Sequence, residues 1–311
     1  MLPLSWETDH SRFTIEDPVV LIQAAGFFLF YCNCGKFIPA TVTTLPPPFT
    51  FSQSSLQDYV DCPRRFQLRY MDQLAWPALD SEPVIENERH QIEGQLFHRL
   101  AQQYALGLPA EDLLPMANTP NLERWWQHFR QAFKSHPGLH PELTLSAPIG
   151  HHRLVAKYDL VAVQDNKAII YDWKTSAKHP RDEWVSARWQ TRVYRALLVQ
   201  AGSGLNNGRA FGPEQVEMIY WYCDFPSEPT RFRYDANQFK RDWSAIEKVV
   251  EEISSAEEFP LTDEERMCRF CVYRSYCNRG VQAGHLDDAE AEMESEANFD
   301  VNFEQISEIE F

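Results

Sequence analysis

Apolar and polar residues alternate in two neighbouring stretches, Leu154 to Val163 and Lys167 to Thr175, both rich in Val, Ile, Leu and Tyr. Turn residues, Gln164-Asp165-Asn166-Lys167, stand between them, which predicts a β-hairpin. Helical spacing takes over elsewhere. A helix is expected from Ser54-Ser55, with Ser as cap and Leu56, Tyr59 and Phe66 on its apolar side, interrupted at Cys62-Pro63. A second is expected from about 88 to 105, with Ile92, Leu96, Leu100 and Tyr104 as one stripe and Gly107 and Pro109 as stops. Residues 108–140, with Trp125, Trp126, Phe129 and Phe133, read as a helical insertion. Further on the pattern predicts a helix over 182–200, strands over 215–225 and 230–234, and a helix over 236–253. No repeat is evident.

If Asp165 and Asn166 form a two-residue loop, 164 faces 167, and each pair of facing positions outward from there keeps the same sum. On that register Asp159 faces Asp172, and Lys174 shares their side of the sheet. Two carboxylates so close repel unless a cation lies between them, and hard oxygen ligands suit Mg²⁺ or Mn²⁺, ions that activate water and neutralise a phosphoryl oxygen. The plain alternative is a pair of solvent-facing aspartates, but Asp is depleted in strand interiors, which makes the coincidence with a lysine less ordinary.

Composition adds bounds. At 311 residues and 44% hydrophobic content, the chain can bury one large core or two small ones. The formal charge of −16 argues against a general nucleic-acid binder, but residues 286–311 contribute ten acids and no Lys or Arg, so the rest carries −16 + 10 = −6. A mildly acidic protein can still grip phosphate with a local basic groove and metal. The tail also carries spaced Phe299, Phe303, Ile306, Ile309 and Phe311, and is read as disordered, with a partner-docking or autoinhibitory segment as the alternative.

Seven cysteines are too few and too uneven for a secreted disulfide scaffold. Cys268, Cys271 and Cys277 form a C-x2-C-x5-C run, and Cys62, far upstream, completes four thiolates suited to an iron–sulfur cluster or to zinc. Cys32 and Cys34 are spaced too tightly for a metal knuckle, and Cys223 reads as a buried core residue. A cytoplasmic protein is expected. The apolar stretch from Val19 to Cys32 is too short to span a bilayer and follows acidic residues, so neither a membrane anchor nor a signal peptide is expected.

Asp159, Asp172-Trp173-Lys174-Thr175 and Gln190-x-x-x-Tyr194, in this order, resemble the PD-(D/E)XK nucleases of the RecB-like branch, which includes the nuclease domains of RecB and AddB and the CRISPR-adaptation nucleases. The likeness extends to Gly94-x-x-x-His98, to Ser54-Ser55-Leu56-x-x-Tyr59-x-x-Cys62-Pro63-x-x-Phe66, and to Phe259-Pro260 ahead of the cysteine run. It implies a restriction-endonuclease-like α/β core, a central mixed sheet flanked by helices, with a helical lobe and an iron–sulfur clip. It further implies that His98, Asp159 and Asp172 are metal ligands, that Lys174 is catalytic with Gln190 and Tyr194 in support, and that Cys62, Cys268, Cys271 and Cys277 hold a [4Fe–4S] cluster, with zinc as the other occupant. Leu160 stands where the family commonly has an arginine.

The organisation that follows is an N-terminal extension over 1–48, a nuclease domain over 49–285 and an acidic tail over 286–311. The extension is read as an added strand or helix, or as sequence upstream of the functional start. The expected activity is metal-dependent cleavage of DNA, as an exonuclease on single-stranded or frayed ends, in recombination, repair or CRISPR adaptation, with a helicase or CRISPR-adaptation protein as partner. The competing expectation is a catalytically silent DNA-binding subunit of a helicase–nuclease complex. No G-x-x-x-x-G-K-[ST] loop is present, so the chain carries no helicase motor of its own. Lys178, Arg181, Arg64 and Arg65 are the candidate phosphate contacts, and Arg188, Arg192 and Arg195 read as a solvated helix face.

Overall fold

The computed structural model describes residues 20–24, 27–31, 37–39, 45, 47–75, 82–134, 138–269 and 271–280. The expectations for Cys32, Cys34 and the acidic tail therefore lie outside the described residues. Two compact units are present, residues 1–43 and 44–311. In the first, β1 (Val20–Ala24), β2 (Phe27–Tyr31) and β3 (Phe37–Pro39) form an antiparallel sheet in that order.

The second unit opens with the short strand β4 (Thr50–Phe51) and the helix α1 (Gln53–Asp61). Ser52 caps α1: its hydroxyl accepts from the Ser55 N–H while the Ser55 hydroxyl accepts from the Ser52 N–H, a reciprocal capping box. Extended backbone at Cys62 ends the helix, and Pro63, which has no N–H to lose, begins α2 (Pro63–Phe66). A π-helical turn, Gln67–Met71, follows. Next come α3 (Glu82–Ala105), α4 (Ala110–Leu113) and α5 (Pro120–Ala132).

Strands β5 (Leu139–Ile149), β6 (His152–Gln164) and β7 (Lys167–Lys174) then lead to α6 (Asp182–Ala187) and α7 (Trp189–Ala201). The chain completes the unit with β8 (Val216–Tyr222), β9 (Thr230–Arg233) and α8 (Ala236–Ser255). The sheet order is β4-β6-β7-β8-β9, with β5 on the other side of β6. β4–β6 and β7–β8 run parallel and the other pairs antiparallel, so the sheet is mixed.

Helices cover both faces. On one, Leu56 of α1, Val193 and Leu197 of α7, and Ile246 and Ile253 of α8 pack on Ala156, Tyr158, Ile170 and Tyr220. On the other, Phe97 and Leu100 of α3 join Trp125, Trp126 and Phe129 of α5 over Leu160, Trp173 and Trp221. Rings there meet edge to face, as in Phe129 on Trp173 with centroids 5.2 Å apart.

Three sequence expectations are corrected here. β5 falls partly within the expected helical insertion; it pairs with β6 alone, and such an edge position is where a sheet admits prolines such as Pro141 and Pro148. Of the expected α3 stripe, Leu96, Leu100 and Tyr104 do face the core, but Ile92 is 57% exposed and Glu93, Gly94, Phe97 and Ala101 complete the buried face. The single helix expected over 182–200 is broken at Arg188 into α6 and α7.

The β6–β7 hairpin has the expected register, from Gln164↔Lys167 to Leu160↔Tyr171. Asp165 and Asn166 both take left-handed backbone, with φ 51 and 58, the geometry of a two-residue type I′ turn. Asn tolerates that region and Ala does not, so Asn166→Ala is expected to cost about 1 kcal/mol and Asn166→Gly to be neutral or better. Urea unfolding of the two variants reads the difference; equal midpoints would contradict it.

Candidate active site

The hairpin ladder stops one rung short of the two aspartates. Below that point Tyr158 and Ala156 belong to the α7 side of the sheet, yet Leu160 belongs to the α3 side, so the regular alternation of faces slips at Asp159. Across β5 the same interruption appears: Pro141 pairs Leu160 and Leu143 pairs Tyr158, leaving Glu142, with φ 53, opposite Asp159 in no regular pair. Asp159 Oδ2 instead accepts the N–H of Trp173 at 2.8 Å. The expected 159–172 rung is thus replaced by a side-chain bond that holds the fork of β6 and β7 open.

Around this fork the sequence-derived candidates gather. Asp159 and Asp172 are 8% and 3% exposed. His98 reaches in from α3, its Nδ1 3.2 Å from Asp159 Oδ1. Lys174 Nζ lies 3.1 Å from Asp172 Oδ2 and donates to Gln190 Oε1 at 3.1 Å. The Gln190 amide turns its other end to Asp172, donating from Nε2 to Oδ1 at 2.8 Å. One side chain of α7 therefore fixes both the carboxylate and the amine of β7. Tyr194, one turn further, donates to the Lys157 carbonyl at 2.7 Å and receives Gln53 Nε2 at 3.4 Å, so it braces β6 and α1 behind the site.

Backbone proximity explains how His98 arrives. A Cβ on Gly94 would stand 3.1 Å from the Thr175 hydroxyl, and His90 Nε2 lies 3.0 Å from the Thr175 carbonyl. Glycine lets α3 lie against the end of β7, and His98 is one turn along on the same side.

The two carboxylates differ in their electrostatics. Burial pushes the Asp172 carboxyl up to about 7, although Lys174 pulls it down, and the Asp159 charge adds to the rise. Burial also opposes ionisation of Asp159, but His98 and the Trp173 N–H hold it below the usual carboxylate range. Burial disfavours the His98 imidazolium, yet Asp159 raises its pKa overall. Asp172 Oδ2 is buried, and the Lys174 ammonium stands 3.1 Å from it. Two carboxylates and an imidazole suit a divalent cation. As they stand the groups pair with one another, and no three His, Cys, Asp or Glu side chains among the described residues are arranged to enclose a metal ion.

Cys62 stands at the C-terminal end of α1. Cys62 is buried, and Cys268, Cys271 and Cys277 are partly exposed; none forms a disulfide. Burial raises the pKa of Cys268 and Cys277, and the field of Cys62 raises both further. Burial likewise raises Cys271, where the Arg65 charge pulls the other way. Direct bonds tie this C-terminal run to the N-terminal helices: Arg64 N–H to the Pro260 carbonyl at 3.1 Å, and Tyr273 hydroxyl to the Leu74 carbonyl at 3.0 Å. Cys223 is fully buried.

Two expectations about cations are corrected. Arg65 is 8% exposed and bound to Asp58 and Asp61, each at 2.7 Å, so it serves the interior rather than phosphate. Arg195 is not solvated either. It is 5% exposed, stacked at 4.4 Å over Tyr234 and turned toward Asp242, which also pairs with Arg192 at 2.9 Å. Asp242 lies almost fifty residues downstream on α8, so helical periodicity alone gave no sign of it.

The sequence profile of the PD-(D/E)XK nuclease superfamily matches residues 50–278, and the chain belongs to that superfamily. No curated protein matches. Among solved structures, "SSO0001" is 13% identical with a TM-score of 0.36, covering 75% of this chain and 88% of its own. A protein of Eubacterium rectale described as a "Putative exonuclease" is 10% identical with a TM-score of 0.40, covering 68% of this chain and 84% of its own.

Gly94→Val should disturb the approach of α3 to β7, because the added side chain must displace Thr175 and with it the contact that brings His98 to Asp159. Unfolding should shift by about 1–3 kcal/mol, as for overpacking elsewhere. The His98 imidazole resonances should lose the upward pKa shift imposed by Asp159. An unchanged His98 titration would show that its position does not depend on Gly94.

Proposed function

We propose that this nuclease-superfamily chain is a Mg²⁺- or Mn²⁺-dependent deoxyribonuclease acting on single-stranded or frayed DNA ends. The observation that carries this reading is the buried set of His98, Asp159, Asp172 and Lys174, cross-braced by Gln190. His98, Asp159 and Asp172 would hold the metal, which when bound supplies Lewis acidity at the phosphoryl oxygen and a more acidic water.

The chain's own residues do the rest. Gln190 holds the Lys174 ammonium beside Asp172, where it stands ready to orient the attacking water or to neutralise charge developing on the phosphate. The Trp173 N–H holds Asp159 Oδ2 and His98 faces Oδ1, which together set the orientation of the carboxylate in the fork. Tyr194 anchors β6 behind it. A silent scaffold is the second reading, but burying two carboxylates and an amine in one network costs desolvation that a purely structural role would not require.

Asp172→Ala and Lys174→Ala are each expected to reduce cleavage of end-labelled DNA by at least a thousandfold in Mn²⁺, with the circular-dichroism spectrum unchanged. A parent protein that binds DNA without cutting it would favour the scaffold; an Asp172 variant as active as the parent would place the chemistry elsewhere.

For the cysteines the reading is a [4Fe–4S] cluster on Cys62, Cys268, Cys271 and Cys277, with Zn²⁺ as the other occupant. What supports it is the chain spacing; among the described residues the thiols are not arranged to enclose a metal. Such a group would staple α1 to the C-terminal run across more than two hundred residues and so stabilise the fold. Cys268→Ser is then expected to lower bound iron and sulfide in anaerobically purified protein and to expose the chain near Cys62 to protease. A colourless parent with one zinc per chain would replace the cluster by zinc and leave the nuclease reading intact. A helicase or a CRISPR-adaptation protein is the expected partner, in a cytoplasmic setting; no helix among the described residues is long and apolar enough to cross a membrane.

A further inference from the structure

A cavity of about 370 Å³ opens at the free edge of the sheet, beside β9 and between α7 and α8, lined by Arg195, Arg231, Phe232, Arg233, Arg241 and Asp242 among others. None of these residues belongs to the active site. In a chain of 45 acids and 29 Lys and Arg, four arginines against one aspartate is a pronounced local reversal of sign.

The floor is built and its acid is already neutralised. Asp242 pairs with Arg192 and accepts from the Tyr234 hydroxyl at 3.0 Å. Arg195, buried among these groups, donates Nε to the Thr191 carbonyl at 2.9 Å and Nη1 to the Arg233 carbonyl at 3.2 Å. Those two bonds use two of its five N–H groups, and Nη2 stands 3.6 Å from Asp242, beyond hydrogen-bond reach. The rim is cationic. Arg233 and Arg241 are exposed and make no side-chain ion pair among the described residues, while Arg231 is held only at 3.7 Å by Glu217. Phe232 presents a half-buried ring between them.

From this we infer a second ligand site, separate from the carboxylates, that takes a nucleotide phosphate: guanidinium groups pair with phosphate oxygens in a matching fork, and the Phe232 ring offers a stacking surface for a base. The volume suits a ligand of that size. Free nucleotide and the phosphodiester backbone of a strand present the same chemistry, so the experiment carries both.

Calorimetry in EDTA, which removes divalent metal, measures binding of thymidine 5′-monophosphate, pyrophosphate and a fluorescein-labelled five-nucleotide oligo-dT to the full chain and to an R231Q/R241Q variant. Arg241→Lys, which keeps the charge, serves as the control for a folding defect. The double variant should lose at least tenfold in affinity for whichever ligand the site takes. If that is the oligonucleotide, the salt dependence should flatten by about 1.4 in log–log slope, two contacts at roughly 0.7 each. Loss for the monophosphate and pyrophosphate identifies a free-nucleotide site; loss for the oligonucleotide alone identifies a strand site. Equal affinity of parent and double variant for all three overturns the proposal. Because the readout is binding without metal, this failure is distinct from a failure of Asp172→Ala to abolish cleavage.

Discussion

Everything at this site depends on how two buried carboxylates are kept in one place. Burying like charges together is costly, and the fold offsets that cost with the Trp173 N–H and His98 on Asp159, and Lys174 and Gln190 on Asp172. These partners come from three directions: α3 on one face of the sheet, α7 on the other, and the hairpin itself. The sheet opens at Asp159 because its carboxylate, rather than a carbonyl of β6, receives the Trp173 N–H.

That constraint accounts for details which otherwise look unrelated. Gly94 is small because α3 must lie on Thr175 for His98 to reach across. Glu142 takes a left-handed conformation opposite Asp159 because the β5 ladder breaks at the same level, and its carboxylate pairs with Lys157. Lys157 in turn offers its carbonyl to Tyr194, so the strand leading into Asp159 is held from both sides of the interruption. The aromatic packing of Trp125, Phe129, Trp173 and Trp221 is the bed on which α3 lies.

Much of this was legible in the residue pattern, and for a reason. A two-residue turn fixes the register of an entire hairpin, so Asp165-Asn166 sufficed to bring Asp159, Asp172 and Lys174 to one end of it. The helix ahead of Pro63 was readable because caps and prolines act within a few residues of themselves, although its cap is Ser52 rather than the expected Ser54 or Ser55. What escaped was decided at long range. β5 is a strand despite two prolines because it pairs on one side only. Arg195 is interior because Asp242 awaits it, at a separation that periodicity does not encode. The end of the ladder at Leu160 was likewise invisible, since a side chain competing for a backbone N–H leaves no mark on the alternation until the fold is formed.

The central claim is that the fork between β6 and β7 is a divalent-metal site. Anomalous diffraction from crystals grown with Mn²⁺ tests it most directly. The account predicts one anomalous peak within coordination distance of Asp159 and Asp172, with His98 as a nitrogen ligand and Lys174 drawn off Asp172 Oδ2, and no peak there in crystals of the Asp172→Ala variant. Manganese bound elsewhere, or no peak at the fork at saturating Mn²⁺, would contradict it.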